Sequence, residues 1–287
     1  MTSSAGQVAA AFKAACLDEL DAPKPGNVHV FASGHRMSAN EFQASAGAAA
    51  AAVAQPGARV GERIHAAVEA TLAAVGVNTN LGIILLCAPL AAATEVVSSD
   101  LRTGLARVLN ELDVDDARLA FRAITRAAPA GLGRVEQHDV FGPATVTLRR
   151  AMAVAAERDR IARQYVSDFE DVFELGDPLL ANALARATHP RWATLAVYLG
   201  FLSAFPDSHI VRKHGTGVAE TTRRVALSFH RRMQSSEAIE ALLPDLLAWD
   251  TKLKRDGINP GTSADLTVAT LFAHRLRTIL PPSSISD

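Results

Sequence analysis

The chain has 287 residues, a formal charge of -1 at pH 7, 49% hydrophobic residues and 21% charged ones. It is long enough to bury a core without metals or disulfides, too apolar to be disordered, and lacks the global basic footprint of a nucleic-acid binder. An anionic ligand would therefore be met by local cations, and the two cysteines, Cys16 and Cys87, read as buried small hydrophobes rather than a disulfide framework.

In chain order, the opening "MTSSAGQVAAAFKAACLDEL" lacks a basic stretch followed by an uninterrupted apolar run, so it does not read as a signal peptide. Residues 59–75 carry the helical period, with Val60, Ile64, Val68, Leu72 and Val75 on one stripe, and Gly76 suits the left-handed residue after a helix. The run "LGIILLCAPLAAA" at 81–93 is too short to span a bilayer and contains Pro89. The protein is expected to be soluble and cytoplasmic, with no membrane partner. Residues 113–128 open on acidic residues that favour a helix N-terminus, carry Leu119, Phe121 and Ile124, and break at Pro129.

From Pro143 to about Leu175 the sequence is long, charged and periodic. Residues 191–204 are apolar on most sides and predict a central buried helix; Phe201, Leu202 and Phe205 read as core, with a homodimer interface as the alternative. Further helices are expected at about 216–233, 236–254 and 263–280, followed by a disordered tail at 281–287. The expectation is an all-α fold: one compact multi-helix domain over 1–280, with a polar cleft built from helix ends and loops.

Five junctions carry polar residues that a helical bundle does not need: "KPGNVH" (24–29), "GVNTNLG" (76–82), "GLGRVEQHD" (131–139), "PDSHIVRKHG" (206–215) and "GINPGTSAD" (257–265). Helix ends suit anions because they present unpaired N–H groups. Each junction also has an ordinary structural reading. Thr262 or Ser263 can cap a helix, and Thr262 with Asp265 has capping-box spacing. Arg212, Lys213 and His214 before Gly215 form an ordinary helix C-terminus. Asn78 and Asn80 are good caps, whereas Gly82 in a first turn is unfavourable unless something approaches closely. His138-Asp139 raises a helical metal-dependent phosphohydrolase, but no second ligand box follows. His29 and His35 lack the companion spacing of a zinc site, and there is no nucleophile elbow, Walker loop or dinucleotide fingerprint.

The order Glu19, "PKPGNVH", "NTNLG", "GLG…D", Asp207-x-x-Ile-x-Arg-Lys-His-Gly and "NPGTSADL" resembles the triphosphoribosyl-dephospho-CoA synthase family over about residues 10 to 275. The resemblance implies an all-α transferase that moves the 5-triphosphoribosyl group of ATP to 3′-dephospho-CoA and releases adenine. It implies Mg²⁺ with the triphosphate. It also implies a phosphate and nucleotide grip drawn from Lys24, Gly26, Asn27, Asn78, Asn80, Gly82, Arg212, Lys213, His214, Asn259, Gly261, Thr262 and Ser263. Glu19, His29, Asp139 and Asp265 become the catalytic candidates, and Glu19, Asp207 and Asp265 the metal candidates; His35 joins the candidate proton carriers. Members serving citrate lyase and malonate decarboxylase look more like "KPGLVD" where this chain has "KPGNVH", so it resembles a divergent branch whose acceptor could differ from dephospho-CoA. The alternatives are the same chemistry on another acceptor, a helical phosphohydrolase, and a non-catalytic nucleotide-binding protein.

Overall fold

In the computed structural model, residues 4–32, 38–96, 100–129, 138–235 and 239–280 are described. They contain no strand, only an isolated bridge between His29 and Ala32. The helices are α1 (Ala5–Asp21), α2 (Ala39–Val53), α3 (Val60–Val75), α4 (Leu81–Ala93), α5 (Leu101–Glu111), α6 (Val114–Ala127), α7 (Leu148–Ala155), α8 (Arg160–Val166), α9 (Asp177–Leu184), α10 (Pro190–Ala204), α11 (Ser208–His214), α12 (Thr216–Ser235), α13 (Leu243–Arg255) and α14 (Gly261–Ile279). The expected all-α architecture is what forms, as one compact body.

Local chemistry sets most boundaries. Gly76 ends α3 at φ 74° and donates to Leu72 O, as the sequence predicts. Asp113 caps α6 by accepting from the Asp115 and Asp116 amides, and Ala128 closes it in the left-handed region. The periodic stretch 143–175 departs from expectation. It divides into α7, α8 and a π-helical turn, Asp171–Gly176. Thr147 and Asp159 each start a new helix by capping it, and Asp168 and Phe169 take positive φ between the second and third pieces. The helix expected at 236–254 becomes a 3-10 turn, Ile239–Leu242, leading into α13. Residues 236–238, like the expected tail at 281–287, lie outside the described residues.

Two helices organise the interior. α4 is apolar all round and buried nearly throughout, as that pattern requires. α14 packs on α1, α4 and α10 and touches α11 at its start. Phe201, Leu202 and Phe205 are buried in the core, as are Cys16 and Cys87, whose thiols burial pushes up. A smaller cluster of Trp192, Tyr198, Phe229 and Trp249 seats α13 against α10 and α12. None of the described helices is long and apolar enough to cross a membrane. This packing brings the C-terminal end of α1, the N-terminal ends of α4 and α14, and α11 to one place.

Candidate active site

A cavity of about 980 Å³ opens at that meeting point. Every one of the five polar junctions contributes to its wall: Asn27; Asn78, Asn80 and Gly82; Asp139; Arg212 and Lys213; Asn259, Gly261, Thr262 and Asp265. Glu19 joins them from the last turn of α1. The rest of the lining is largely apolar and includes Phe42, Leu72, Phe121, Ile124 and Met152.

Asp265 explains Gly82. A methyl group at Gly82 would overlap the Asp265 carboxylate, with the added carbon 2.5 Å from Cγ, so glycine there makes room for a carboxylate beside the start of α4. Burial pushes the Asp265 carboxyl well above the usual range; the charges of Glu19, Asp207 and Asp159 push the same way, and Arg212 opposes them. Gly261 plays a matching role, since a side chain there would collide with the His209 imidazole.

Asn80 carries the sharpest hint of a ligand. It is 4% exposed, lines the cavity, and its Nδ2 has no hydrogen-bond partner among the described residues. Buried donors are seldom left so, because an unmet N–H costs about 1–3 kcal/mol. Its neighbour Asn78 accepts from the Leu81 amide at 3.1 Å, an ordinary capping role.

Lys24 sits differently from its expected grip on phosphate. Its Nζ is fully buried, 2.6 Å from Glu19 Oε1, and donates to Asn27 Oδ1 at 2.9 Å and to Val28 O at 2.6 Å. Those three contacts use the three protons of an ammonium, and Lys24 is not on the cavity wall. Burial works against both charges of the pair, raising the Glu19 pKa and lowering that of Lys24, while their contact opposes both shifts. Glu19 is the member that reaches the cavity.

The turn at 257–265 also departs from expectation. Pro260 occupies the cap position of α14 and the Thr262–Asp265 box does not form. Asp207, 56 residues away in sequence, caps instead: its Oδ2 accepts from the Ser263 amide at 2.7 Å and from Ser263 Oγ at 2.8 Å. Its Oδ1 accepts from the His209 and Ile210 amides at 2.9 and 3.2 Å, which starts α11. Burial raises the Asp207 pKa against these four bonds. One buried carboxylate thus ties two helix starts together, and both its oxygens are engaged. Asp207 and Ser263 sit behind the wall rather than on it.

Other predicted residues are held elsewhere. Gly26, at φ 83°, presses its backbone against Pro260 and Leu253, so the close approach it permits is to protein. His29 lies 3.3 Å from Asp250, and His214 is 3.0 Å from the Gly257 carbonyl. Arg212, Lys213 and His214 do form the last turn of α11, ahead of Gly215, as the ordinary reading has it. His35, Gly131 and Gly133 lie outside the described residues. His138 and Asp139 reach the cavity, but no group of three or more His, Cys, Asp or Glu among the described residues is arranged to hold a metal ion. The candidate metal set fits a cage of protein ligands poorly for the same reason, with Asp207 committed to two helix starts.

Among the lining residues that sequence reasoning passed over are Arg158, Asp159 and His209. Asp159 caps α8 through the Ile161 and Ala162 amides and pairs with Arg212 at 3.4 Å. The acid before Arg160-Ile161 was a legible cap signal, whereas nothing local marked His209, whose ring is placed by Gly261.

The model of the CitG family, ATP:dephospho-CoA triphosphoribosyl transferase, matches residues 5–283. No curated protein matches the chain. The crystal structure of a candidate triphosphoribosyl-dephospho-CoA synthase from Archaeoglobus fulgidus superposes with a TM-score of 0.62 at 25% identity, covering 80% of this chain and 96% of the archaeal one. Matched by that family's model over residues 5–283, the chain belongs to the ATP:dephospho-CoA triphosphoribosyl transferase family.

Proposed function

We propose that the protein transfers the 5-triphosphoribosyl group of ATP to a ribose hydroxyl of 3′-dephospho-CoA and releases adenine. The observation that carries this reading is the unpartnered, buried Asn80 amide on a cavity wall shared by all five motif junctions. In the reaction the C1′–N9 bond breaks with its electron pair going to adenine, and the acceptor oxygen bonds to C1′. Charge develops on the ribose as in glycoside cleavage, so a carboxylate beside it is stabilising. Asp265 and Glu19 are the carboxylates assigned to that task and to taking the hydroxyl proton. Burial and the neighbouring carboxylates raise the Asp265 pKa, so its ionised form is a stronger proton acceptor than an exposed aspartate. Arg212, Lys213 and Arg158, with the Asn80 amide, are assigned to the triphosphate. Asn27, Asn78, Asn259, Gly261 and Thr262 are assigned to the nucleotide, and Asp139, also on the cavity wall, is a further candidate carboxylate. Mg²⁺ would accompany ATP as the counter-ion of the triphosphate. The reading includes a cytoplasmic location and a domain that extends over 1–280.

The test is to incubate the protein with ATP, Mg²⁺ and dephospho-CoA and to identify products by mass spectrometry. Free adenine and a triphosphoribosyl adduct of dephospho-CoA support the reading. Adenine only with another acceptor keeps the chemistry and changes the acceptor. ADP or AMP in place of adenine overturns it.

A further inference from the structure

The segment 24–29 reaches the cavity only through Asn27 and, by way of Lys24, through Glu19. A charged pair on α13, outside every motif, holds this segment. Asp250 is 2% exposed. Its Oδ1 accepts from the Gly26 amide at 2.8 Å, and its Oδ2 lies 3.3 Å from His29 Nε2 and 2.9 Å from Lys254 Nζ. Lys254, one turn later, donates to the Ala32 carbonyl at 2.9 Å. At the inner end of the same loop, Lys24 joins Glu19 to Asn27, and Asn27 Nδ2 donates to Asn259 Oδ1 at 2.9 Å. The segment 24–32 is therefore clamped from α13 on one side, and on the other it holds two cavity-wall groups, Asn27 and, through Lys24, Glu19.

We propose that Asp250 is a positioning residue for the transfer reaction: with Lys254 it fixes the loop so that Asn27 and the Lys24–Glu19 pair keep their places on the cavity wall. Stability alone is a weak reason for such a pair. Buried ions lose hydration that their attraction only partly returns, and well-packed apolar residues often serve as well or better. What an apolar pair cannot supply is a hold at both ends of the segment: an acceptor aimed at the Gly26 amide, where the backbone turns at φ 83°, and a Lys254 ammonium, held in place by Asp250, aimed at the Ala32 carbonyl. Tyr198 holds the adjoining Pro25 carbonyl from α10 at 2.7 Å, so losing Asp250 should loosen the loop without releasing it.

The activity readout rests on the proposed function. Asp250→Asn keeps an acceptor for Gly26 but turns an NH₂ group towards Lys254; the double variant D250N/K254M also removes the lone cation. We expect D250N to lower kcat for adenine release at least about tenfold, the scale set by small displacements of reacting groups, while KM for ATP moves less than about threefold. Deuterium uptake over 24–32 rises and that of α4 does not. The double variant recovers Tm but not kcat. Wild-type kcat in D250N, or recovery of kcat together with Tm in the double variant, would reduce Asp250 to a structural role and overturn the proposal. Unchanged uptake over 24–32 would refute the clamp itself. A wild-type protein that releases no adenine with any acceptor removes the transferase reading and this role with it, and deuterium uptake then reports on the clamp alone.

Discussion

Gly82→Ala separates the stability of this fold from the placement of its carboxylate. The added carbon would lie 2.5 Å from Asp265 Cγ and 2.8 Å from Ile161 Cδ1, where ordinary contacts are about 3.5–4.0 Å. The Asp265 carboxyl must retreat by roughly 1 Å or rotate away, which a side-chain tip can do. Overpacking of this kind costs about 1–3 kcal/mol, and alanine returns up to about 1 kcal/mol of helix propensity. With the full helix-propensity gain of about 1 kcal/mol returned, the net loss is at most about 2 kcal/mol, or a Tm lower by roughly 3 °C, because the unfolding entropy of a 287-residue chain is about 0.6 kcal/mol/K. The effect on turnover should be larger: a misplacement of about 1 Å costs on the order of 100-fold, equal to about 2.7 kcal/mol of barrier. Thermal melts and adenine release measured on the same preparation give both numbers. Gly47→Ala is the control, because nothing lies within 4 Å of its added carbon and α2 should gain slightly. A Gly82→Ala enzyme with wild-type kcat would refute the placement of Asp265 in the reaction.

Three further outcomes follow from the geometry. Lys24→Met leaves Glu19 buried without its cation and should cost about 3–5 kcal/mol in denaturant unfolding; the double variant K24M/E19Q should recover much of it, whereas a phosphate-gripping lysine would lose ATP affinity with little change in stability. Asn80→Ala removes a buried donor that has no protein partner, so Tm should hold or rise while ATP binding by calorimetry weakens about 10-fold; a large Tm loss with unchanged affinity would count against a ligand role. Asp265→Asn should abolish turnover yet stabilise the fold at neutral pH. The folded carboxyl has a raised pKa, so above its unfolded value the native state holds more protons and wild-type stability falls as pH rises towards the folded pKa. The variant lacks that slope, and parallel stability–pH curves for the two proteins would contradict the assignment.

Much of the fold was legible because its signals are local. The stripe from Val60 to Val75, Gly76 after it, the acids opening α6 and the all-round apolar character of α10 each act within a turn or two, and each element formed where they point. The long stretch 143–175 was misread because its period continued while caps at Thr147 and Asp159 divided it. The motif order sufficed to indicate the family, and the five junctions that stood out in the sequence all contribute residues to one cavity.

Partners across the chain were another matter. From sequence alone Lys24 is a cation free to meet a phosphate; in the fold it is spent on Glu19, Asn27 and Val28. Thr262 and Asp265 have the spacing of a capping box, yet Asp207 takes the capping role and leaves Asp265 for the cavity. Gly82 signalled that something comes close, but only packing shows that it is a carboxylate. Asp250 gave no signal at all. Local propensity and capping depend on neighbours three or four residues away, which the sequence displays. Which charge a buried group meets depends on which helix ends are packed together, and here that was decided by α14 lying against α1, α4 and α11.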